Sequence, residues 1–448
     1  MPVSTTSYHA EAAWLSRAAG LARGVLIDVS GGRITGVTTG VDAAPPSAQR
    51  LPGLVLPGFA NTHSHAFHRA LRGRTHAGKG TFWTWRQRMY AVAARLTPSS
   101  YLALARATFA EMALAGITCV GEFHYLHHGA EGRRYDDPNE MGYALLQAAR
   151  EAGIRITLLD TAYFSSGVDG QPLEGPQLRF GDGSVDTWAA RHETLKLDAG
   201  ARRGAAIHSV RAVPSGQLAA VATAAGDEPL HIHLSEQRAE NEACQARHGC
   251  SPTELLHTHG VLGSRTVAVH ATHLSDVDRT LLGDTDTGVC FCPTTERDLA
   301  DGIGPARPLV DAGSPLSLGS DSHAVIDPFE EARAVELNER LRTEQRGHFS
   351  AWELLEAATV AGHAALGWDD AGTIAPGVRA DLVAVRLDAV RVAGFDPADP
   401  VAAVLFAAGA GDVTDVVVDG RPVVRDGRHL LVDDVPRALH EAIAEVWC

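Results

Sequence analysis

Leu56-Pro57-Gly58-Phe59-Ala60-Asn61-Thr62-His63-Ser64-His65-Ala66-Phe67-His68 is an apolar run that ends on a His-x-His pair, as a buried strand does when its C-terminal end holds a metal. Successive strand residues face opposite sides, so His63 and His65 project to the same side and can share one ion. Imidazole suits zinc and other divalent transition metals, and a catalytic zinc keeps one position open for water. Alone the pair is a modest signal, because the chain has 22 histidines and most histidines sit at surfaces or in hydrogen-bonded cores. Further ligands at the ends of later strands give it weight.

Outward from that stretch, short apolar β-like runs alternate with Ala/Leu/Glu/Arg-rich helical segments from about 56 to 365. Candidate strands lie at 56–65, 118–121, 155–160, 207–213, 230–234, 266–270, 288–292 and 316–321, with helices at 99–115, 141–152 and 253–259 among them. Eight such runs predict an α/β fold, a closed (β/α)8 barrel of the TIM type. The open doubly wound sheet is the alternative, but no Gly-x-Gly-x-x-Gly follows any candidate strand. The two ends of the chain read differently. Residues 24–39 form two β-rich runs around Gly31-Gly32, a hairpin signal, and 380–385 and 415–424 are again β-rich. The economical arrangement is a small β-sandwich formed by both chain ends, giving 1–55 and 369–448, the latter with a terminal helix, around a barrel at 56–368. The connection 163–188 is unusually long and irregular and is a candidate lid.

The chain has 448 residues, 45% of them hydrophobic, enough for a large barrel core and a satellite. A net charge of -15 argues against a nucleic-acid or anionic-membrane partner. Six cysteines without a CxxC pair fit a reducing compartment. The N-terminus carries no signal-peptide pattern, and the longest apolar run near the end, 401–408, is too short to span a bilayer. A soluble, cytoplasmic protein is expected.

In a (β/α)8 barrel the C-terminal strand ends converge on one mouth. The first candidate strand ends in His63 and His65, the fifth in His233 with Glu236 just beyond, the sixth in His270 and the eighth in Asp321. Three imidazoles and a carboxylate can hold one divalent metal ion: zinc, with iron or manganese as alternatives. Asp321 can also accept a proton from a metal-activated water, Glu236 can shuttle protons, and His270 can orient the water. His231 shares a face with His233 but lies deeper, as a core histidine would. His124, His127, His128, His273 and His323 follow strands as well; Cys290 and Cys292 read as core, and Asp160 as structural.

This pattern resembles the amidohydrolase superfamily, whose members pair a metal-bearing (β/α)8 barrel with a small β-sandwich built from both chain ends. The resemblance covers almost the whole chain, and His63-x-His65, His233, His270 and Asp321 match its motifs in order. No lysine ends the fourth strand, which argues against a binuclear site, and His233-x-x-Glu236 with His270 looks like the mononuclear deaminase branch. Within it, four stretches resemble the N-formimino-L-glutamate deiminases of histidine degradation: Gly58 to Phe67, Phe82-Trp83-Thr84-Trp85-Arg86, Gly121 to His127, and His208-Ser209-Val210-Arg211-Ala212-Val213. The resemblance implies hydrolysis of a formimino C=N group to N-formyl-L-glutamate and ammonia, substrate-binding groups at Arg86, Tyr125, His208 and Arg211, and a homodimer. It departs at His68, where the family often has glutamine; an imidazole offers fewer donors and acceptors there.

The charge pattern points the same way. Arg69, Arg72, Arg74, Lys79, Arg86 and Arg88 follow the first strand as a basic cluster in an acidic chain, suited to a small anionic amidine substrate. The alternatives are a deaminase of another small amidine or nucleobase, and a metal-binding protein without turnover.

Overall fold

Two eight-stranded sheets organise the protein, whose computed structural model describes residues 5–76, 80 and 82–448. In chain order the strands are β1 (Thr5–Ser16), β2 (Gly20–Ser30), β3 (Arg33–Thr38) and β4 (Gln49–Pro57); then β5 (Phe59–Ser64), β6 (Ile117–His124), β7 (Arg155–Ala162), β8 (Ala201–Ile207), β9 (Leu230–Leu234), β10 (Thr266–His270), β11 (Gly288–Phe291) and β12 (Leu316–Leu318); and last β13 (Leu382–Val385), β14 (Val413–Val418), β15 (Arg421–Arg425) and β16 (Arg428–His429).

The satellite sheet runs β16-β15-β14-β13-β4-β1-β2-β3, so both chain ends build it, and β4 is the seam: parallel to β1 on one side and antiparallel to β13 on the other. Gly31 and Gly32, at φ 59° and 80°, make the two-residue turn of the β2–β3 hairpin. The sheet curls over its own core of Tyr8, Ile27, Leu51, Val55 and Leu382, and Ile34 N donates to Val378 O at 2.9 Å where the N-terminal and C-terminal parts meet.

Strands β5 to β12 are parallel and adjacent in sequence order, with helices such as Pro98–Leu114 and Glu140–Ala152 between them. β6 and β7 are buried throughout, as strands covered on both faces must be. The helix Pro98–Leu114 begins on a Thr97 capping box with proline at its start, and Glu140–Ala152 ends on left-handed Gly153. The barrel closes where β12 runs into β5: Ser64 bridges Asp321, Asp321 N donates to His63 O at 3.0 Å, and His65 N donates to Asp321 O at 3.2 Å. A Cβ on Gly319 would lie 2.8 Å from the His63 Cβ, so only glycine lets the last strand press this closely on the first.

Three strand expectations shift. The eighth barrel strand is Leu316–Leu318 and not 316–321, so Asp321 lies beyond its end. The run 56–65 is not one strand: its start is the end of β4, and Gly58 alone separates β4 from β5. The fourth barrel strand is Ala201–Ile207 and not 207–213, so His208 and Arg211 lie in the loop beyond it. Among the described residues no helix is long and apolar enough to cross a membrane.

Candidate active site

His63 comes from β5, His65 from the residue after it, His233 from β9, and Asp321 from just beyond β12. All four are buried, and their ligand atoms lie within 4.8 Å of one another. His63 Nε2 is 3.1 Å from His233 Nε2; His65 Nε2 is 3.4 Å from His233 Nε2; and Asp321 Oδ1 is 3.4 Å from the Nε2 atoms of both His63 and His65. The far nitrogens of two rings are fixed: His65 Nδ1 donates to Phe123 O and His233 Nδ1 to His208 O, both at 2.9 Å. A proton on Nδ1 leaves the Nε2 lone pair facing inward.

Burial holds all three imidazoles below their ordinary range, His65 and His233 far below it. Burial alone would push the Asp321 carboxyl up, but the hydrogen bond of His63 and the nearby His270 hold it below the usual carboxylate range. Neutral imidazoles and an ionised carboxylate are the ligand forms a divalent cation needs. The spacing fits as well, since tetrahedral bonds of about 2.0–2.1 Å put donor atoms roughly 3.3–3.4 Å apart. The four residues therefore fit a metal ion.

Around this quartet stand the acid–base groups. His270 Nε2 is 3.9 Å from Glu236 Oε1 and 3.9 Å from Asp321 Oδ2, while its Nδ1 is 3.3 Å from Glu296 Oε1. Burial disfavours the His270 cation, but Glu236, Glu296 and Asp321 together raise it well above the ordinary histidine range. Burial raises Glu236, against the pull of His270 and Arg211. Several of these groups sit where the backbone leaves the strand in a left-handed turn: Ser235 (φ 51°), His270 (φ 69°) and Asp321 (φ 41°). Non-glycine residues held there carry about 1–3 kcal/mol of strain each, which the surrounding packing must offset.

A cleft of about 560 Å³, counting the space open to solvent, leads to the quartet. Arg86, Tyr125, His208, Arg211 and His68 all line it, as do Glu236, His270 and Asp321. Arg86 stands on the helix Phe82–Ala93, its guanidinium over the Trp83 and Tyr90 rings at 4.7 and 5.2 Å. Tyr125 Oη is 2.9 Å from His68 Nε2. Burial pushes His68 down to about 3 and, with Arg211 and Arg86 nearby, lowers His208 as well, so both rings are neutral. Arg211 Nε donates to Glu240 Oε2 at 2.6 Å.

Most of the basic cluster turns away from this cleft. Arg69 and Arg72 are both paired at 2.6 Å with Glu111, and Arg74 lies over the Trp447 ring; Arg88 is exposed and Lys79 lies outside the described residues. Among the described members, Arg86 is the one that lines the cleft. His231 is a core histidine bonded to Ala365 O, Cys290 and Cys292 pack with Val267 and Val269, and Asp160 is a structural anion paired with Arg191 and His192. His323 sits behind the metal strand, 3.0 Å from Ser320 Oγ and 3.3 Å from Ser64 Oγ. The segment 163–188 supplies cleft walls at Tyr163 and Phe180, and its Arg179 is buried and donates to the His128, Ala93 and Leu96 carbonyls, which ties the segment down. Sequence reasoning missed Glu240 and Glu296; the available signal was an acidic residue soon after the end of a barrel strand.

The amidohydrolase family model matches residues 54–423. The formimidoylglutamate deiminase of Pseudomonas aeruginosa is 38% identical over 419 residues, which is 90% of this chain and 92% of that protein. The 8-oxoguanine deaminase of the same species is 30% identical over 89% of each chain. Among solved structures, an amidohydrolase from Brucella melitensis superposes with a TM-score of 0.92 at 34% identity, over 99% of this chain and 100% of that one. A match that takes in all four candidate ligands and every barrel strand, joined to relatives aligned over nearly the full length, leads to one conclusion: this chain belongs to the amidohydrolase family.

Proposed function

We propose that the protein is a metal-dependent deiminase that hydrolyses N-formimino-L-glutamate to N-formyl-L-glutamate and ammonia, a step of histidine catabolism. The observation that carries this reading is the pairing, in one cleft, of two guanidinium groups, Arg86 and Arg211, with the acid–base groups Glu236 and His270. Guanidinium groups suit carboxylates, so a substrate that carries both an amidine and carboxylates suits both sets of groups in the cleft. The similarity to a formimidoylglutamate deiminase supports the same substrate.

His63, His65, His233 and Asp321 would hold the cation, zinc in our reading. When bound, it supplies Lewis acidity that lowers the pKa of a water molecule. Asp321, an anion with Oδ2 toward His270, takes the proton that water loses as it adds to the amidine carbon. Glu236, its carboxyl raised by burial, passes that proton from Asp321 on to the terminal nitrogen. The hydrogen left on the added oxygen goes to the same nitrogen, which then leaves as ammonia carrying both of the water's protons while the carbon keeps the oxygen as a formyl group. His270, with its Nε2 3.9 Å from both Glu236 Oε1 and Asp321 Oδ2, holds the two carboxyl groups toward the same point.

The aromatic walls at Phe82, Trp85, Tyr163 and Phe180 favour a second reading, a deaminase of a flat nucleobase, which the 8-oxoguanine deaminase similarity also supports. Ammonia release from N-formimino-L-glutamate, with guanine, cytosine and N-formiminoglycine as controls, separates the two. Release from guanine or cytosine alone would overturn the dicarboxylate reading.

A further inference from the structure

Glu240 lies in the first turn of the helix Arg238–His248 and is only 2% exposed. A buried carboxylate needs partners for its charge. Both of its oxygens have one: Oε2 accepts from Arg211 Nε at 2.6 Å, and Oε1 accepts from the peptide N–H of Ser235 at 2.8 Å. Ser235 is the left-handed residue immediately before Glu236, and its carbonyl is held by His273 N at 3.0 Å.

The geometry points to Glu240 as a positioning residue that couples the carboxylate anchor to the proton carrier. One side chain fixes the roll of the Arg211 guanidinium and, through the Ser235 peptide, the direction in which Glu236 leaves the strand. With Nε occupied, the two terminal nitrogens of Arg211, a cleft-lining residue, are what is left to receive a substrate carboxylate. A carboxylate is required here because both partners are donors. Glutamine has one acceptor, and its amide N–H₂ would meet either Nε–H or the Ser235 N–H. The inference rests on the proposed roles of Arg211 and Glu236.

The test is a double-mutant cycle on the metal-loaded full-length enzyme, reading kcat and KM for N-formimino-L-glutamate separately in Glu240→Gln, Arg211→Met and the double variant. Glu240→Gln alone is expected to raise KM and lower kcat, each by about tenfold, the worth of one hydrogen bond to a charged group. In the Arg211→Met background the same change should leave KM where it is and still lower kcat. Equal effects of Glu240→Gln on KM in the two backgrounds, or no effect in either, would overturn the coupling. Failure of the underlying reading is distinct: Arg211→Met by itself would then leave KM unchanged. If Glu240→Gln does not fold, Glu240→Asp keeps the charge but is one methylene short of spanning both donors, and the same split between KM and kcat is expected of it.

Discussion

The Nε2 atoms of His63 and His233 approach to 3.1 Å although burial disfavours a proton on either ring beyond the one each neutral imidazole carries. His233 keeps that proton on Nδ1, where it is donated to His208 O, so its lone pair points at His63. Asp321 adds an anion to the same space. A cation between these groups turns mutual repulsion into four favourable contacts.

Removing the metal with a chelator is therefore expected to abolish turnover and lower the melting temperature, and adding back zinc should restore both. At a thousandfold excess over Kd, an ion that binds the folded state alone adds about 4 kcal/mol of stability. Differential scanning calorimetry with and without zinc checks this, and a melting temperature indifferent to zinc would refute the ligand assignment.

Glu236→Gln preserves shape and leaves the four ligands untouched but cannot carry a proton. Turnover should fall by about 10²–10⁴-fold, the usual worth of a general acid–base group, with metal content unchanged by elemental analysis. Near wild-type kcat would exclude Glu236 as the proton carrier.

Arg211→Met should lower kcat/KM for N-formimino-L-glutamate by the equivalent of about 1.5–3 kcal/mol. A neutral amidine such as formamidine has no carboxylate to lose, so its slower turnover should be the same in wild type and variant. An equal loss for both substrates would assign Arg211 to general site structure.

One pH effect on stability should come from His192, which does not line the cleft. Burial works against a charge on His192, but hydrogen bonds with Asp160 at 3.1 Å and Glu228 at 2.8 Å raise it to about 9. A histidine raised in the folded state contributes its full stabilisation below the unfolded value near 6.5, and loses it as pH climbs to about 9. The loss is on the order of 3 kcal/mol. Thermal melts of wild type should decline across that window, and His192→Gln should flatten the decline. Parallel profiles would show that His192 is not the group responsible.

The barrel, and the grouping of four candidate ligands at its mouth, were legible because strand ends announce them: an apolar run that stops at or just before His63, His233, His270 or Asp321 carries its meaning locally. The join between β4 and β5 was not legible, since Leu54, Val55 and Leu56 are as apolar as Phe59 and Ala60, and periodicity does not say to which sheet a strand belongs. The strand β8 was displaced by Arg202 and Arg203, which look unlike a barrel strand until Arg202 is seen over Trp368 and Arg203 on Glu228. The basic cluster misled for a related reason. Glu111, which pairs with both Arg69 and Arg72, lies on the helix Pro98–Leu114, where nothing local marks it as their partner. Glu240 was invisible in the same way: a glutamate in a polar helix gives no sign that it points inward.

The join between β4 and β5 also bears on how the protein is made. On the ribosome β4 emerges early, yet β13, which completes one of its edges, appears only after the whole barrel has been synthesised. Gly58 is held from that late side, its N–H donating to Asp381 O at 3.0 Å. A nascent chain stalled before Leu382 thus contains all four ligands but lacks the neighbour that fixes the direction in which two of them leave the seam. Metal capture is expected to be among the last events of biosynthesis.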